Sequence, residues 1–189
     1  MNDQTKTAAT PAKRIAGVRG DGLAAACIFS TRETMEPRLD YRKSVPQEAM
    51  HALYALESYI RKSGLETPLL ELVRMRASQI NGCAYCLDMH SKDARAEGET
   101  EQRLYALSAW RETPFFSERE RAALEWTEAV TLVSRDRVPD EIYGRVRGQF
   151  GEAELVNLTL AVIAINSWNR VAISFRAVPG TYQRQQARA

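Results

Sequence analysis

Apolar residues recur every three or four positions along most of this chain, and turn-forming residues separate the resulting stripes. One stripe consists of Ala49, Leu53, Leu56 and Ile60, and it ends at Gly64. This spacing places the apolar side chains on one face of an α-helix, whereas a half-buried strand would need an alternation of period two. We find no convincing alternation of that kind and no internal repeat. The pattern therefore predicts an all-α fold, a bundle of packed helices.

Helix-start and helix-stop signals divide the chain after residue 37. Ser44 followed by Gln47 fits a capping box with Pro46 in the first turn, and Ser117 with Glu120 fits another. The expected helices begin near residues 46, 67, 83, 100, 117, 139 and 152. They end near residues 64, 80, 98, 110, 133, 151 and 175.

Residues 1–36 differ from the rest, because small, polar and turn-forming residues dominate there without an apolar period. We expect a disordered leader, followed by a single domain over residues 37–189. Gly20, Asp21 and Gly22 interrupt the apolar run before Cys27, which argues against a signal peptide or a lipid anchor. Cys27 itself has no partner that the sequence identifies.

The overall composition excludes several classes of partner. Apolar residues make up 44% of the chain and charged residues 26%, the balance of a soluble globular protein. A formal charge of +2 is too small to favour nucleic acid or an anionic membrane surface. No unbroken apolar stretch reaches the roughly 18 residues of a membrane-spanning helix. We expect a cytoplasmic protein, in which a Cys-x-x-Cys pair is catalytic or metal-binding rather than part of a disulfide framework.

The chemistry of the chain is concentrated in NGCAYCLDMH, residues 81–90. On a helix, Cys83, Cys86 and His90 share one face. Asn81 is the expected cap, which places Cys83 in the first turn, where free N–H groups and the helix dipole favour a thiolate. His90 lies one turn beyond Cys86 and can take the proton of that thiol.

Glu71 is the fourth candidate, on the helix before the Asn-Gly break. It follows Leu69 and Leu70, and an apolar setting would raise the pKa of its carboxyl and make it a useful proton carrier. A turn at Asn81 and Gly82 would bring it over the cysteines.

Two other interpretations account for the same residues. The cysteines can be inert core residues, or a zinc ion can bind Cys83, Cys86, His90 and Glu71. Structural zinc usually takes four ligands from two paired motifs, and this chain has one Cys-x-x-Cys. We therefore expect neither a metal nor a cofactor.

The order Glu71, Cys83, Cys86, His90 resembles the core motif of the alkylhydroperoxidase D-like proteins of the carboxymuconolactone decarboxylase superfamily. The likeness extends to LLELVRMRASQINGCAYCLDMH, RLYALSAWRETPFFSERERAALEWTEAVTL and LTLAVIAINSWNRVAISFR, and it covers roughly residues 38–180. It implies an all-helical fold and a tight homo-oligomer, since trimers and hexamers are common in this family.

The resemblance also implies a role for each residue. Cys86 would react with a hydroperoxide to give a sulfenic acid, and Cys83 would then close a disulfide and release water. His90 and Glu71 would relay protons. The residues alone leave the order of reactivity open, because Cys83 has the helix-terminal position and Cys86 has the histidine. An external thiol would reduce the disulfide by exchange at an exposed Cys83.

One position departs from the family pattern. Tyr85 stands between the cysteines, where the best-known peroxidases of the family carry a second histidine. A phenol titrates near 10 and is a poorer proton carrier at neutral pH, so slow peroxidase turnover is expected. The alternative functions are a non-redox lyase of the carboxymuconolactone decarboxylase kind and a small-molecule binding protein of the same fold. The Cys-x-x-Cys pair argues against the lyase, because the lyases of this superfamily lack it.

Overall fold

Helices make up the part of the chain that this computed structural model describes, residues 35–184, and no strand occurs among those residues. The helices are α1 (Tyr41–Ser44), α2 (Gln47–Ile60), α3 (Thr67–Asn81), α4 (Ala84–Ala96), α5 (Glu101–Ala106), a 3₁₀ helix (Leu107–Glu112), α6 (Glu118–Thr131), α7 (Val133–Asp136), α8 (Asp140–Arg147) and α9 (Glu152–Ser174). The all-α fold class is therefore confirmed. Cys27 and nearly all of the expected leader lie outside the described residues, so the boundary at residue 37 stays a prediction.

Local signals explain several of the helix starts. At α6 the Ser117 hydroxyl accepts the Glu120 N–H at 3.3 Å, and the Glu120 carboxylate accepts the Ser117 N–H at 2.8 Å, so the predicted capping box is confirmed. The Thr100 side chain caps α5. The prediction of a capping box at Ser44 is wrong. Ser44 ends α1 and donates its hydroxyl to the Asp40 carbonyl at 2.8 Å, so α2 begins without a side-chain cap.

The connection between α3 and α4 decides where the cysteines lie. Gly82 ends α3 with φ 69°, a left-handed conformation that glycine adopts without steric cost. Cys83 is then the N-cap of α4, and its Sγ accepts the Cys86 N–H at 3.4 Å. The prediction that Asn81 caps α4 is wrong, because Asn81 is the last residue of α3. Its side-chain amide donates to Asn169 of α9 at 2.8 Å.

Helix α3 is the central element, packed against α4, α6 and α9. Leu72 and Val73 are fully buried. Burying such a side chain stabilises the folded state by about 1.5–3 kcal/mol relative to leaving it exposed. A helix enclosed on most sides also buries some of its polar side chains. Glu71 and Arg74 are 5% and 4% exposed, so each must find a partner inside the protein.

Helix α9 covers α3 and forms one wall of the site. Helix α9 has 23 residues, and an 18-residue window of it has a mean hydropathy of 1.2, which would suit a membrane span by length and composition. Leu158, Val162 and Ile165 on its inner face are fully buried in the protein. Core helices of soluble proteins meet the same criteria, so α9 alone is weak evidence for a membrane span.

Candidate active site

Cys83 and Cys86 face each other at the N-terminal end of α4. Their Sγ atoms lie 2.7 Å apart, both side chains are buried, and both are free thiols in this structure. The i, i+3 spacing places both on the same side of the chain, as the sequence predicts. At this separation one sulfur donates its hydrogen to the other, so the pair is poised to share a single proton.

The two cysteines have opposite pKa shifts. The Cys86 thiol donates to Cys83, and together with the Cys86 backbone N–H it lowers the pKa of Cys83 to about 7, against the opposing effect of burial. The same thiol–thiolate hydrogen bond, reinforced by burial, raises the pKa of Cys86. The arrangement therefore favours a thiolate on Cys83 over a thiolate on Cys86.

Access to the two sulfurs is also unequal. Cys86 borders a cavity of about 190 Å³ that Glu71 and His90 also line. Cys83 and Cys86 are each 1% exposed and pack in the same core cluster with Ile165, but Cys83 does not line that cavity. The expectation that Cys83 is exposed is therefore wrong, because a capping side chain turns inward over its own helix. A molecule in the cavity meets Cys86.

Glu71 and His90 form the second pair of the site. Helix α3 carries Glu71 and α4 carries His90, and the turn at Gly82 brings them together across 19 residues. The distance from His90 Nδ1 to the Glu71 carboxylate is 2.8 Å, and both side chains are buried. The contact that the sequence predicts between Glu71 and the cysteine helix is therefore present.

Arg74 fixes the charge of Glu71, and sequence reasoning missed it. One guanidinium nitrogen donates to Glu71 at 2.6 Å and another to Glu57 at 2.8 Å. Burial raises the pKa of the Glu71 carboxyl, but the hydrogen bond from His90 and the charges of His90 and Arg74 outweigh it, so the pKa is lowered. The prediction of a raised pKa is wrong, because the helix that buries Glu71 also buries its cation. Since the carboxylate can only accept, His90 Nδ1 carries the hydrogen.

Asn169 on α9 and Asn81 on α3 form a cluster of side-chain amides next to the two sulfurs. Asn169 is fully buried on α9, donates to the Ser78 hydroxyl at 3.0 Å and accepts from Asn81. A hydrogen bond from Asn169 helps to lower the pKa of Cys83. It also opposes the rise in the pKa of Cys86. Asn169 lies about eighty residues beyond the motif, so the motif alone carried no signal for it.

Asp93 extends the acid–base network toward the surface. Glu71, His90 and Asp93 place potential ligand atoms within 4.8 Å of one another, which is a spacing that could hold a metal ion. Each group already has a protein partner, however: Glu71 binds Arg74 and His90, and Asp93 accepts the Tyr182 hydroxyl at 2.9 Å. We therefore interpret the cluster as a hydrogen-bonded network. Cys83 and Cys86, the two sulfur ligands of the zinc site considered from the sequence, are not part of this group.

Tyr85 lies in the cavity wall together with Met89. The position that carries a histidine in the best-known peroxidases of the family thus faces the same space as Cys86 and His90. Its phenol places one hydrogen-bond donor and acceptor in the wall.

The fold and this cysteine site identify the class of protein. The carboxymuconolactone decarboxylase family matches residues 47–129, a range that includes Glu71, Cys83, Cys86 and His90. The chain belongs to this family and is an alkylhydroperoxidase D-like protein. The family that the sequence motif indicates is therefore confirmed.

Among its relatives, the uncharacterized protein YdfG of Bacillus subtilis is 47% identical over 140 residues, which cover 74% of this chain and 95% of YdfG. A protein of unknown function from Agrobacterium tumefaciens, provisionally described as the antioxidant defence protein AhpD, is 43% identical. Its structure aligns with a TM-score of 0.74 over 78% of this chain and all of that one. The debrominase Bmp8 has the same fold, with a TM-score of 0.65, 20% identity and coverage of 71% and 73% of the two chains.

Proposed function

We propose that this protein is a thiol-dependent peroxidase that reduces organic hydroperoxides with the Cys83–Cys86 pair. One observation carries the proposal: two reduced sulfurs lie 2.7 Å apart, and one of them borders a cavity that also holds a histidine–carboxylate pair. A nucleophilic sulfur, a second sulfur within bonding reach and a proton carrier are the groups that this chemistry requires.

The reaction begins with a proton shift inside the pair. The hydrogen passes from Cys86 to Cys83, and the Cys86 thiolate attacks the terminal oxygen of the hydroperoxide. The O–O bond breaks, Cys86 becomes a sulfenic acid, and the alkoxide takes one proton to leave as an alcohol. Cys83 then attacks the Cys86 sulfur, the S–O bond breaks, and the hydroxide leaves as water with the proton of Cys83. The two cysteines lose two electrons and form a disulfide.

His90 delivers the proton to the alkoxide. Its Nδ1–H is held by Glu71, so Nε2 is the ring nitrogen that can exchange a proton in the cavity. Glu71 stays ionised because His90 and Arg74 lower its pKa, so the carboxylate holds the His90 ring in one orientation and one tautomer. Glu71 thus supports His90 instead of carrying protons itself.

An external thiol or dithiol restores the pair. Because Cys86 borders the cavity and Cys83 does not, the incoming thiolate attacks the Cys86 sulfur. The Cys83–Cys86 bond breaks, and Cys83 departs as a thiolate that the Cys86 backbone N–H and Asn169 stabilise. A second thiol of the reductant then attacks the reductant sulfur of the mixed disulfide and releases Cys86. The exchange step therefore begins at Cys86 and not at Cys83.

We also propose a cytoplasmic homo-oligomer, a trimer or a hexamer. Val156 and Ile163 are 59% and 46% exposed and lie seven residues apart, on the same face of α9. Apolar side chains exposed along one helix face suit a contact with a second copy. A reduced dithiol at the centre of the site suits a reducing compartment.

The decisive experiment compares three single variants in consumption of an organic hydroperoxide with a dithiol reductant. Cys86→Ser should abolish consumption. Without the reductant, Cys83→Ser should consume one equivalent and leave a Cys86 sulfenic acid instead of a disulfide, because the site then has no second sulfur to attack it. Cys27→Ser is the matched control and should retain activity. Undiminished turnover by Cys86→Ser would overturn the proposal.

A further inference from the structure

The cavity beside Cys86 has aromatic walls. They are formed by Tyr41, Tyr54, Tyr85, Trp168 and Tyr182, which come from α1, α2, α4, α9 and the segment after α9. The Tyr54 and Trp168 rings contact each other with centroids 5.2 Å apart. The cavity is open to solvent at one end and has a volume of about 190 Å³, and an apolar cavity of about 150 Å³ accepts benzene. The space therefore suits a single ring with short substituents.

The carboxylates that line this cavity are already engaged. Glu57 and Glu71 both bind Arg74, and Glu71 also binds His90. Asp93 accepts the hydroxyl of Tyr182, the wall residue nearest the end of the described chain. The negative charges of Glu57 and Glu71 are therefore offset by Arg74, and that of Asp93 by Arg184, whose guanidinium lies 4.0 Å away.

Unlike the buried Arg74, two other arginines that line the cavity are exposed to solvent. Arg42 on α1 and Arg61 after α2 are exposed, and within residues 35–184 neither pairs with a carboxylate. The Arg42 guanidinium lies 5.6 Å from the centroid of the Tyr41 ring, at the aromatic wall. Both arginines also line an adjoining open depression of about 720 Å³, so they lie where the cavity meets solvent.

We propose that the substrate is a small aromatic hydroperoxide bearing a carboxylate, an inference that rests on the proposed peroxidase function. The peroxide group meets Cys86, the ring packs against the aromatic wall, and the carboxylate binds Arg42 and Arg61 at the mouth. Guanidinium groups bind carboxylates through paired, charge-assisted hydrogen bonds, which favours this anion at the arginine end. The bonds made and broken are those of the proposed function. The alkoxide takes a proton and leaves as an alcohol that keeps the ring and the carboxylate.

A matched pair of peroxides tests the carboxylate. Cumene hydroperoxide and 4-(2-hydroperoxypropan-2-yl)benzoate share the ring and the peroxide and differ in one carboxylate. The wild-type protein should favour the benzoate by about tenfold or more in kcat/KM, where tenfold corresponds to about 1.4 kcal/mol. The double variant Arg42→Gln/Arg61→Gln should bring that ratio close to one. Raising the salt concentration should also reduce the ratio in the wild-type protein, because exposed charges are screened.

The matched control is Lys43→Gln/Lys62→Gln, which removes two positive charges from the adjacent positions outside the cavity lining. It should keep the wild-type preference. Equal kcat/KM for both peroxides, or an equal loss of preference in the lysine and arginine variants, would overturn the inference while leaving the proposed function intact.

A binding measurement separates the two proposals. Titration calorimetry with 4-isopropylbenzoate, which carries no peroxide, should give binding to the wild-type protein that the arginine variant weakens about tenfold or more. If this binding is found but neither peroxide is consumed, the peroxidase function fails and the anionic aromatic site stands. If 4-isopropylbenzoate does not bind and both peroxides are consumed equally, the carboxylate site fails alone.

Discussion

The imidazole of His90 donates to the carboxylate of Glu71 over 2.8 Å, although the two residues lie on different helices and 19 positions apart. Arg74 holds the other carboxylate oxygen at 2.6 Å, so the carboxylate is fixed from both sides. Because Glu71 is ionised, it sets the tautomer of His90 and leaves Nε2 free for proton exchange. In the proposed reaction, this pair supplies the acid–base chemistry and the two cysteines supply the redox chemistry.

The first prediction concerns the contribution of that pair to turnover. Glu71→Gln keeps the shape of the side chain but removes the carboxylate that orients the His90 ring and sets its tautomer. General acid–base catalysis contributes about 10²–10⁴-fold, and we expect kcat/KM for hydroperoxide to fall by about 10²-fold. Steady-state kinetics measure it, with Glu112→Gln, an exposed carboxylate outside the site, as the control. Activity within twofold of wild type would contradict the role of Glu71.

The second prediction concerns stability. Removing one partner of a buried ion pair costs about 3–5 kcal/mol, and Glu57 still pairs with Arg74, so we expect Glu71→Gln to cost about 3 kcal/mol. The folded-state pKa of Glu71 lies below its ordinary value of 4.5. Its contribution is therefore complete above about pH 4.5 and is lost as the pH falls through the lowered value.

Urea denaturation of the wild type and of Glu71→Gln at a series of pH values measures this dependence. The difference in unfolding free energy should stay constant from about pH 7 to 5 and narrow only in more acidic solution. A difference that already shrinks between those two values would mean that the pKa of Glu71 is raised.

The third prediction concerns the thiolate of Cys83. In a Cys27→Ser background, the ultraviolet absorbance of the reduced protein should report one thiolate that titrates near pH 7. Cys86→Ala removes the thiol that donates to Cys83, so the pKa of Cys83 should rise toward its ordinary value of 9. Cys86→Ser retains a hydroxyl donor and should give a smaller rise. An unchanged titration in Cys86→Ala would show that the thiol hydrogen bond does not stabilise the thiolate.

Much of the fold could be predicted because its signals are local. The capping box at Ser117, the cap at Thr100 and the glycine after α3 each act within one turn of the chain. The wrong prediction at Ser44 also concerns a local signal: a serine and a glutamine three residues apart fit a capping box, but here the serine binds the preceding turn through Asp40.

The site was predictable only in part. The spacing of Cys83, Cys86 and His90 follows from helix geometry, so the sequence could place them together. The i, i+3 relation of Glu71 to Arg74 was also readable, and it would have corrected the direction of the Glu71 pKa shift. Asn169 could not be placed in this way, because its contact with the sulfurs depends on how α9 packs over α3.

The fourth prediction concerns assembly. Light scattering of the purified protein should give a mass that is a multiple of 21.3 kDa. Ile163→Glu places a charge on the exposed face of α9 and should lower that mass, since an unpaired charge is costly in an apolar contact. Tyr105→Glu on α5, where the tyrosine is 76% exposed, is the control and should leave the mass unchanged. A wild-type mass equal to one chain would contradict the proposed oligomer.

The central claim is that Cys83 and Cys86 form a disulfide when the protein consumes a hydroperoxide. The direct measurement is a thiol count in denaturant before and after one equivalent of peroxide, followed by peptide mass spectrometry. The chain has three cysteines, so we predict that three free thiols fall to one and that a single peptide links Cys83 to Cys86. Three thiols remaining after the peroxide is added, or a disulfide that contains Cys27, would contradict the account.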